Sequence, residues 1–464
     1  MGEYEIDLNR PASDIIAELK KKSISLEAWQ NLRKEYEPTE HDIVDDKIGR
    51  KDKVRSDGSI DKAARITLGL EKLLVKRMVE FMFAIPAKRV YHNIENNAVR
   101  KQIAQAMELV YKHARIDAEN IKRAEMYFAS CEIFTIWYTV EKQNSLYGFN
   151  SKYKLKCKTF SPMNGCELYP LIDERDDMLA QSFEYKKKVG DTEVTYFETF
   201  TSNKHYVWKH TSSGYELEDE QDISIMKIPG AYAYRQYALY HGLKCLREEV
   251  EYTISRASDT LAYNSSPVLK VVGELSGGED KGESRRIFRV ENGGDVGYVS
   301  WSQSIEALKY QVETLLNMYW TQSQMPDISF ANMMKLGSIG FDARQTLLTD
   351  AHLKVGYESG MWLEFLERES NVIKAFLGEM NVAWKSELDN IEVEHIITPF
   401  IQNDEKLEIE KWITASGGKA IMSQLDAIKN AGYSNNPEET LERINAEAAQ
   451  ESVARMSSIM ESAM

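Results

Sequence analysis

Residues 231–264 read AYAYRQYALYHGLKCLREEVEYTISRASDTLAYN, with Leu239, Leu243, Leu246, Val250, Thr253, Ala257 and Leu261 falling at steps of four and three. Steps of that size hold one stripe on one side of an α-helix. At ~1.5 Å per residue the helix is a rod of roughly 50 Å. Its other faces carry Arg235, Lys244, Arg247, Glu248, Glu251 and Arg256, so only the stripe calls for burial against other helices. Tyr232, Tyr234, Tyr237 and Tyr240 at its head read as an anchoring cluster at a helix–sheet junction in preference to a base-stacking platform.

Upstream, residues 12–37 read as helix with an N-cap at Ala12-Ser13-Asp14, followed by a charged surface loop or extended arm over 38–58. Residues 60–84 read as a second helix with a wide apolar face, and 95–127 as a third, more polar one. Residues 128–229 change period. Short β-type runs at 132–140, 152–160, 180–187, 193–199, 205–208 and 223–227 predict an antiparallel module inserted between helices. Downstream come a strand at 267–273, a Gly-rich loop at 274–282, and a β pair of 286–290 with 296–300. A second rod, 302–320, places Ile305, Leu308, Val312, Leu315 and Tyr319 on one face. Residues 321–341 are irregular, 342–380 a long helix, 391–401 a strand, and 404–464 helical and acidic.

Composition narrows the function. The chain has 464 residues, 43% hydrophobic and 28% charged, and its 10 prolines and 25 glycines argue against long flexible linkers. A net charge of −15 opposes tight non-specific DNA binding over most of the surface and leaves a local contact open. Cys131, Cys157, Cys166 and Cys245 make no disulfide framework and read as reduced thiols. No signal peptide, myristoylation signal or membrane-spanning run is expected. Gly277-Gly278-Glu279-Asp280-Lys281-Gly282-Glu283-Ser284 superficially resembles a phosphate loop, but Lys281 precedes the last glycine and two acids would repel phosphate, so a solvated hairpin loop is expected. The eight histidines are scattered, with no HxxxH or HExxH, and there is no GxSxG. Asp45-Asp46 and Glu218-Asp219-Glu220 read as solvated loop charge. The expectation is a non-enzyme with no cofactor and no metal.

The order of elements from about 231 to 380 resembles the core of portal proteins of tailed double-stranded DNA bacteriophages, the head-to-tail connectors. The resemblance rests on the long helix ending Ser255–Asn264, the strand Pro267–Gly273, the unit Glu291-Asn292-Gly293-Gly294-Asp295-Val296-Gly297-Tyr298-Val299, and the second rod leading into Met325-Pro326-Asp327-Ile328-Ser329. A loop ending Gly337-Ser338-Ile339-Gly340 and another long helix complete it. The plan around this core extends the likeness to most of the chain.

The resemblance implies an α+β, mainly helical portal-type fold: wing at 1–230 with an inserted antiparallel β module, stem helix 1 at 231–264, and a small β-containing clip at 265–301. It further implies stem helix 2 at 302–320, a tunnel loop at 321–341, the wing's long helix and strand at 342–403, and a helical crown at 404–464. About twelve copies would form a ring at one capsid vertex of the virion, made in the host cytoplasm, through which double-stranded DNA passes non-specifically during packaging and ejection. The implied partners are other copies of the chain, the terminase large subunit, head–tail adaptors, and the major capsid and scaffolding proteins, with no membrane. Asn332, Met333, Met334, Lys335 and Ser338 would form the tunnel loop nearest DNA. Gln303, Glu306, Lys309 and Glu313 are candidates to face the channel, and Lys270, Glu279, Asp280, Lys281, Arg285 and Arg286 would form the docking clip. An acid-rich rod and a loop with one lysine suit sliding, since every neutralised phosphate adds affinity and friction. The alternative is an acidic helical scaffold or adaptor of a virion that binds protein only.

Overall fold

The computed structural model describes residues 4–462 apart from 22, 191, 265–267, 274, 281–285, 291–294, 300–303, 329–345, 347, 401–404, 418–419 and 435. The chain divides into two compact units, residues 1–337 with 347–400, and residues 338–346 with 401–464.

The first unit opens with α1 (Ala12–Leu19) and α2 (Trp29–Tyr36), where one helix over 12–37 was expected. Between them Ile24 and Leu26 alternate with Ser23 and Ser25 and pack on different cores, a spacing of two that a helix cannot hold on one face. A small hairpin, β1 (Lys53–Val54) and β2 (Ile60–Asp61), precedes α3 (Leu70–Phe83) and β3 (Lys88–His92). Residues 62–69, expected to be helical, form no helix or strand. The polar helix is two, α4 (Ala98–Ala114) and α5 (Ile116–Ser130), divided at Arg115, whose φ of 55° is left-handed.

The β module contains β4 (Glu132–Asn144), β5 (Ser151–Phe160), β6 (Glu167–Ile172), β7 (Met178–Val189), β8 (Thr192–Phe200), β9 (Lys204–Thr211), β10 (Gly214–Asp222) and β11 (Gly230–Tyr234). They form a five-stranded antiparallel meander, β10-β9-β8-β7-β6, and a three-stranded sheet, β11-β4-β5. Two corrections follow. Glu218-Asp219-Glu220 belongs to edge strand β10 and not to a loop, and 223–227 is not a strand. Phe160 stacks on Phe183 at 4.1 Å where the two sheets meet.

α6 is Lys244–Asn264. The expected rod over 231–264 is therefore too long: its head is strand β11 and an irregular bend, which leaves a helix of ~31 Å. β11 is drawn into the sheet because Gly230 passes so close to β4 that an added Cβ would lie 2.6 Å from the Thr135 carbonyl oxygen. Beyond α6 come β12 (Val268–Val272), β13 (Leu275–Asp280), β14 (Arg286–Val290) and β15 (Asp295–Val299). The pairing is nested, β12 with β15 and β13 with β14. The expected Gly-rich loop thus contains a strand, and the expected pairing of 286–290 with 296–300 is replaced. α7 (Ser304–Ser323), α8 (Thr349–Met380), α9 (Lys385–Leu388) and β16 (Glu392–Ile396, paired with β3) complete the unit. Helices and small antiparallel sheets together make this a mixed α and β fold, consistent with a portal-type fold.

A central core gathers α2, α3, α5, β11, the start of α6, the end of α7 and the first half of α8 around Met78, Phe128, Tyr240, Tyr319 and Trp362. Each such side chain contributes roughly 1.5–3 kcal/mol on burial. A second core, around Trp137, Ile373 and Leu377, joins α4 and β5 to the other half of α8. Of the four head tyrosines, Tyr232 and Tyr240 are buried anchors, the Tyr240 hydroxyl donating to the Leu32 and Ala129 carbonyls.

The second unit contains α10 (Glu405–Ser416), α11 (Gln424–Ala431) and α12 (Pro437–Ser462). Ser423 caps α11 by accepting from Asp426 N, and Gly432, at φ 73°, ends it.

Candidate functional site: the paired helices

α6 and α7 pack on each other. The start of α6 and the end of α7 share the central core, through Leu243, Leu246, Tyr319 and Trp320, so the two run in opposite directions with β12 and β15 joining their far ends.

The near end is fixed by a buried polar cluster. Arg247 donates from Nε to Glu71 Oε1 at 2.7 Å and from Nη1 to Glu251 Oε2 at 2.8 Å, all three side chains at most 1% exposed. Glu251 Oε1 accepts from His41 Nδ1 and from Leu68 N, both at 2.7 Å, while His41 Nε2 lies 3.0 Å from the Glu35 carbonyl oxygen. Burial pushes the Glu71 carboxyl up to about 7, and Arg247 opposes that rise. Arg247 and Glu251 had read as a solvated helix face. The signal for their burial is Glu71, 176 residues away from Arg247.

Residues 62–69 form a strap along the same helix. Leu68 N, Ile66 N and Ala64 N donate to Glu251 Oε1, Ser255 Oγ and Asp259 Oδ1 at 2.7, 2.9 and 2.9 Å. Alternate donors of an extended chain thus meet acceptors four residues apart on a helix. Two residues of strand span about 6.7 Å and four of helix about 6 Å, so the rows match. Arg50 closes the strap, donating to Asp259 Oδ2 at 2.6 Å and to the Ala64 carbonyl at 2.7 Å.

The exit from α7 is held separately. Arg77 donates to the Pro326 carbonyl at 2.8 Å and to Asp327 Oδ1 at 3.3 Å, its guanidinium 4.3 Å from the Trp320 ring centroid. Lys354 Nζ donates to the Ser323 carbonyl at 2.5 Å, and burial pulls this amine down to about 8.

Of the candidate channel-facing residues, Glu306, Lys309 and Glu313 all lie exposed on α7, with Lys309 Nζ 3.9 Å from Glu313 Oε1, while Leu308, Val312 and Leu315 are half-buried. Gln303 lies outside the described residues, as do Asn332, Met333, Met334, Lys335 and Ser338. In the expected clip, Lys270 is exposed on β12, Glu279 and Asp280 lie on β13, and Arg286 on β14 opposite Asp280; Lys281 and Arg285 fall outside.

Two polar groupings lie under α8. Arg123 forms a two-pronged pair with Glu369 at 2.7 and 2.8 Å, and Trp137 Nε1 donates to the same carboxylate at 2.9 Å. Beside it, Ser370 Oγ is 2.7 Å from His395 Nε2 and 2.8 Å from the Tyr111 hydroxyl. Burial holds His395 down to about 4. Ser370 is itself buried and donates to the Leu366 carbonyl, so this is a packing arrangement without an accessible nucleophile. Among the described residues no His, Cys, Asp and Glu group has a metal-holding arrangement, and no helix is long and apolar enough to cross a membrane.

α6 and α7 are thus a pair of helices with β12 to β15 between them in the chain. The family model for "Phage portal protein, SPP1 Gp6-like" matches residues 19–454. The chain belongs to this phage portal protein family. Two solved structures align with it, one from the "Neck of empty GTA particle computed with C6 symmetry" and one from the "Virion of native gene transfer agent (GTA) particle". The first is 11% identical, covering 79% of this chain and 89% of that one at a TM-score of 0.40. The second is 11% identical, covering 92% and 97% at 0.39. Curated proteins give no match.

Proposed function

We propose that the chain is a portal subunit that assembles into a ring of about twelve copies at a capsid vertex of a virion, the channel for packaging and ejecting double-stranded DNA. The observation that carries this reading is the family match over residues 19–454. Within it, α6 and α7 are the stem, β12 to β15 the clip that docks terminase and head–tail adaptors, residues 321–341 the tunnel loop, 404–464 the crown, and the remainder the wing. Glu306 and Glu313 on the exposed face of α7 suit a channel wall that repels phosphate and lets DNA slide. The chain does no chemistry of its own, and ATP hydrolysis belongs to the terminase.

Native mass spectrometry with negative-stain images of the same sample tests this. The expected result is a species of about twelve subunits with a hole at least as wide as a DNA duplex. A stable dimer with no ring at any concentration or salt overturns it. A Lys335→Glu phage that packages at the wild-type rate and length removes the role proposed for that lysine.

A further inference from the structure

One sheet face contradicts the chain's net charge of −15. β5 reads Ser-Lys-Tyr-Lys-Leu-Lys-Cys-Lys-Thr-Phe, with Lys152, Lys154, Lys156 and Lys158 at every second position. Successive strand side chains point to opposite faces, so the four stand together, on the side away from the buried Leu155. Lys152, Lys156 and Lys158 are exposed and Lys154 half-buried. Tyr138, also exposed, sits opposite Lys156 across the pair with β4. β5 is the outer strand of its sheet.

Like charges at this spacing repel one another. Several lysines elsewhere on the strands and helices are paired with carboxylates, Lys122 with Glu119, Lys186 with Glu193, Lys204 with Glu220 and Lys209 with Glu218. Among the described residues, none of the four on β5 has a carboxylate partner; Lys158 lies over the Phe160 ring at 4.7 Å.

We propose that the lysine face of β5 binds the phosphate backbone of duplex DNA, independently of sequence. Lysine is depleted in protein–protein interfaces, where arginine and aromatic anchors concentrate; this face has no arginine and one exposed ring. Its cations repeat about every 6.7 Å over roughly 20 Å, close to twice the ~3.4 Å axial spacing of phosphates on one DNA strand. The contact lies outside the channel candidates on α7 and goes beyond the ring reading, because the face exists in a single chain.

The test is fluorescence anisotropy of the full chain with a labelled duplex of arbitrary sequence across a salt series. Wild type binds at low salt. The Lys152→Gln/Lys154→Gln/Lys156→Gln/Lys158→Gln variant loses at least roughly tenfold in affinity, and its log–log salt slope falls by up to about 3.6, or 0.9 per lost phosphate contact. The corresponding fourfold Lys→Arg variant keeps both, as does Lys204→Gln/Lys209→Gln, and Lys156→Glu alone gives a smaller loss. Absence of binding by wild type, or an unchanged slope in the fourfold Gln variant, overturns the proposal. Displacement of the duplex by polyglutamate at equal charge concentration also overturns it, in favour of an acidic protein partner. Ring formation is read separately by native mass spectrometry, so either reading fails without the other.

Discussion

α6 and α7 are nearly equal in length, 21 and 20 residues, and pack on each other, yet they meet the rest of the chain in opposite ways. α6 is covered by its own subunit on two sides, by α7 and by the strap, with the Arg247 cluster at its head, while Cys245, Glu249 and Arg256 stay exposed. α7 is held at one end by Tyr319, Trp320 and the Arg77 tether. Along its length, α6 is its one extensive partner among the described residues, and Tyr310 remains 72% exposed. A helix keyed by a strap and a buried polar cluster has its position fixed within the subunit. One left bare on most of its circumference has surface to give to something outside it, as a ring requires of each subunit.

The comparison breaks most decisively at Glu251. Glu251→Ala leaves Arg247, His41 and the Leu68 amide without their acceptor, and urea unfolding is expected to show a loss on the order of 3–5 kcal/mol. At the α7 exit, Arg77→Ala removes two hydrogen bonds and the stack on Trp320, for a loss of about 2–3 kcal/mol by the same measurement. His395 supplies a pH-dependent contrast. Burial lowers its pKa from 6.5 to about 4, so the unfolded chain takes up a proton in that window before the folded one does. Stability is then full above about pH 6.5 and falls as pH drops towards 4. In unfolding curves at pH 7 and pH 5, the difference should shrink in His395→Gln. Ser255→Ala removes one rung of the strap and should cost about 1 kcal/mol. Smallest is Lys309→Ala on bare α7, expected within about 0.5 kcal/mol of wild type. A larger loss there in the isolated monomer would mean that α7 is held by its own subunit after all.

The apolar stripes of α6 and α7 were legible in the sequence because they follow one period along one element. What was misread came from two elements meeting. Ile66, Leu68 and Leu70 alternate with period two, the mark of an extended chain, but merge into the helical run of α3. Ala231 and Ala233 alternate in the same way at the head of the expected rod, where β4 claims them for its sheet. Arg247 and Glu251 are spaced as a surface ion pair would be, and only Glu71, His41 and the strap bury them. The exposure of Glu306, Lys309 and Glu313 on α7 was legible, because it follows helical period directly. In the β unit beyond α6, local sequence placed β-type runs at 267–273, 286–290 and 296–300 but not their nested pairing.

The strap also sets an order of events during synthesis. Its amides at Ala64, Ile66 and Leu68 find their acceptors 195, 189 and 183 residues later in the chain. At ~5–20 residues per second, translation keeps those donors waiting roughly 10–40 s. For that interval α3 lacks the helix against which Glu71 is neutralised, and the exposed hairpin arm with Val54 and Ile60 hangs from an unanchored tether. The nascent N-terminal segment therefore has reason to engage a chaperone, and the strap's part of that need should end with the emergence of α6.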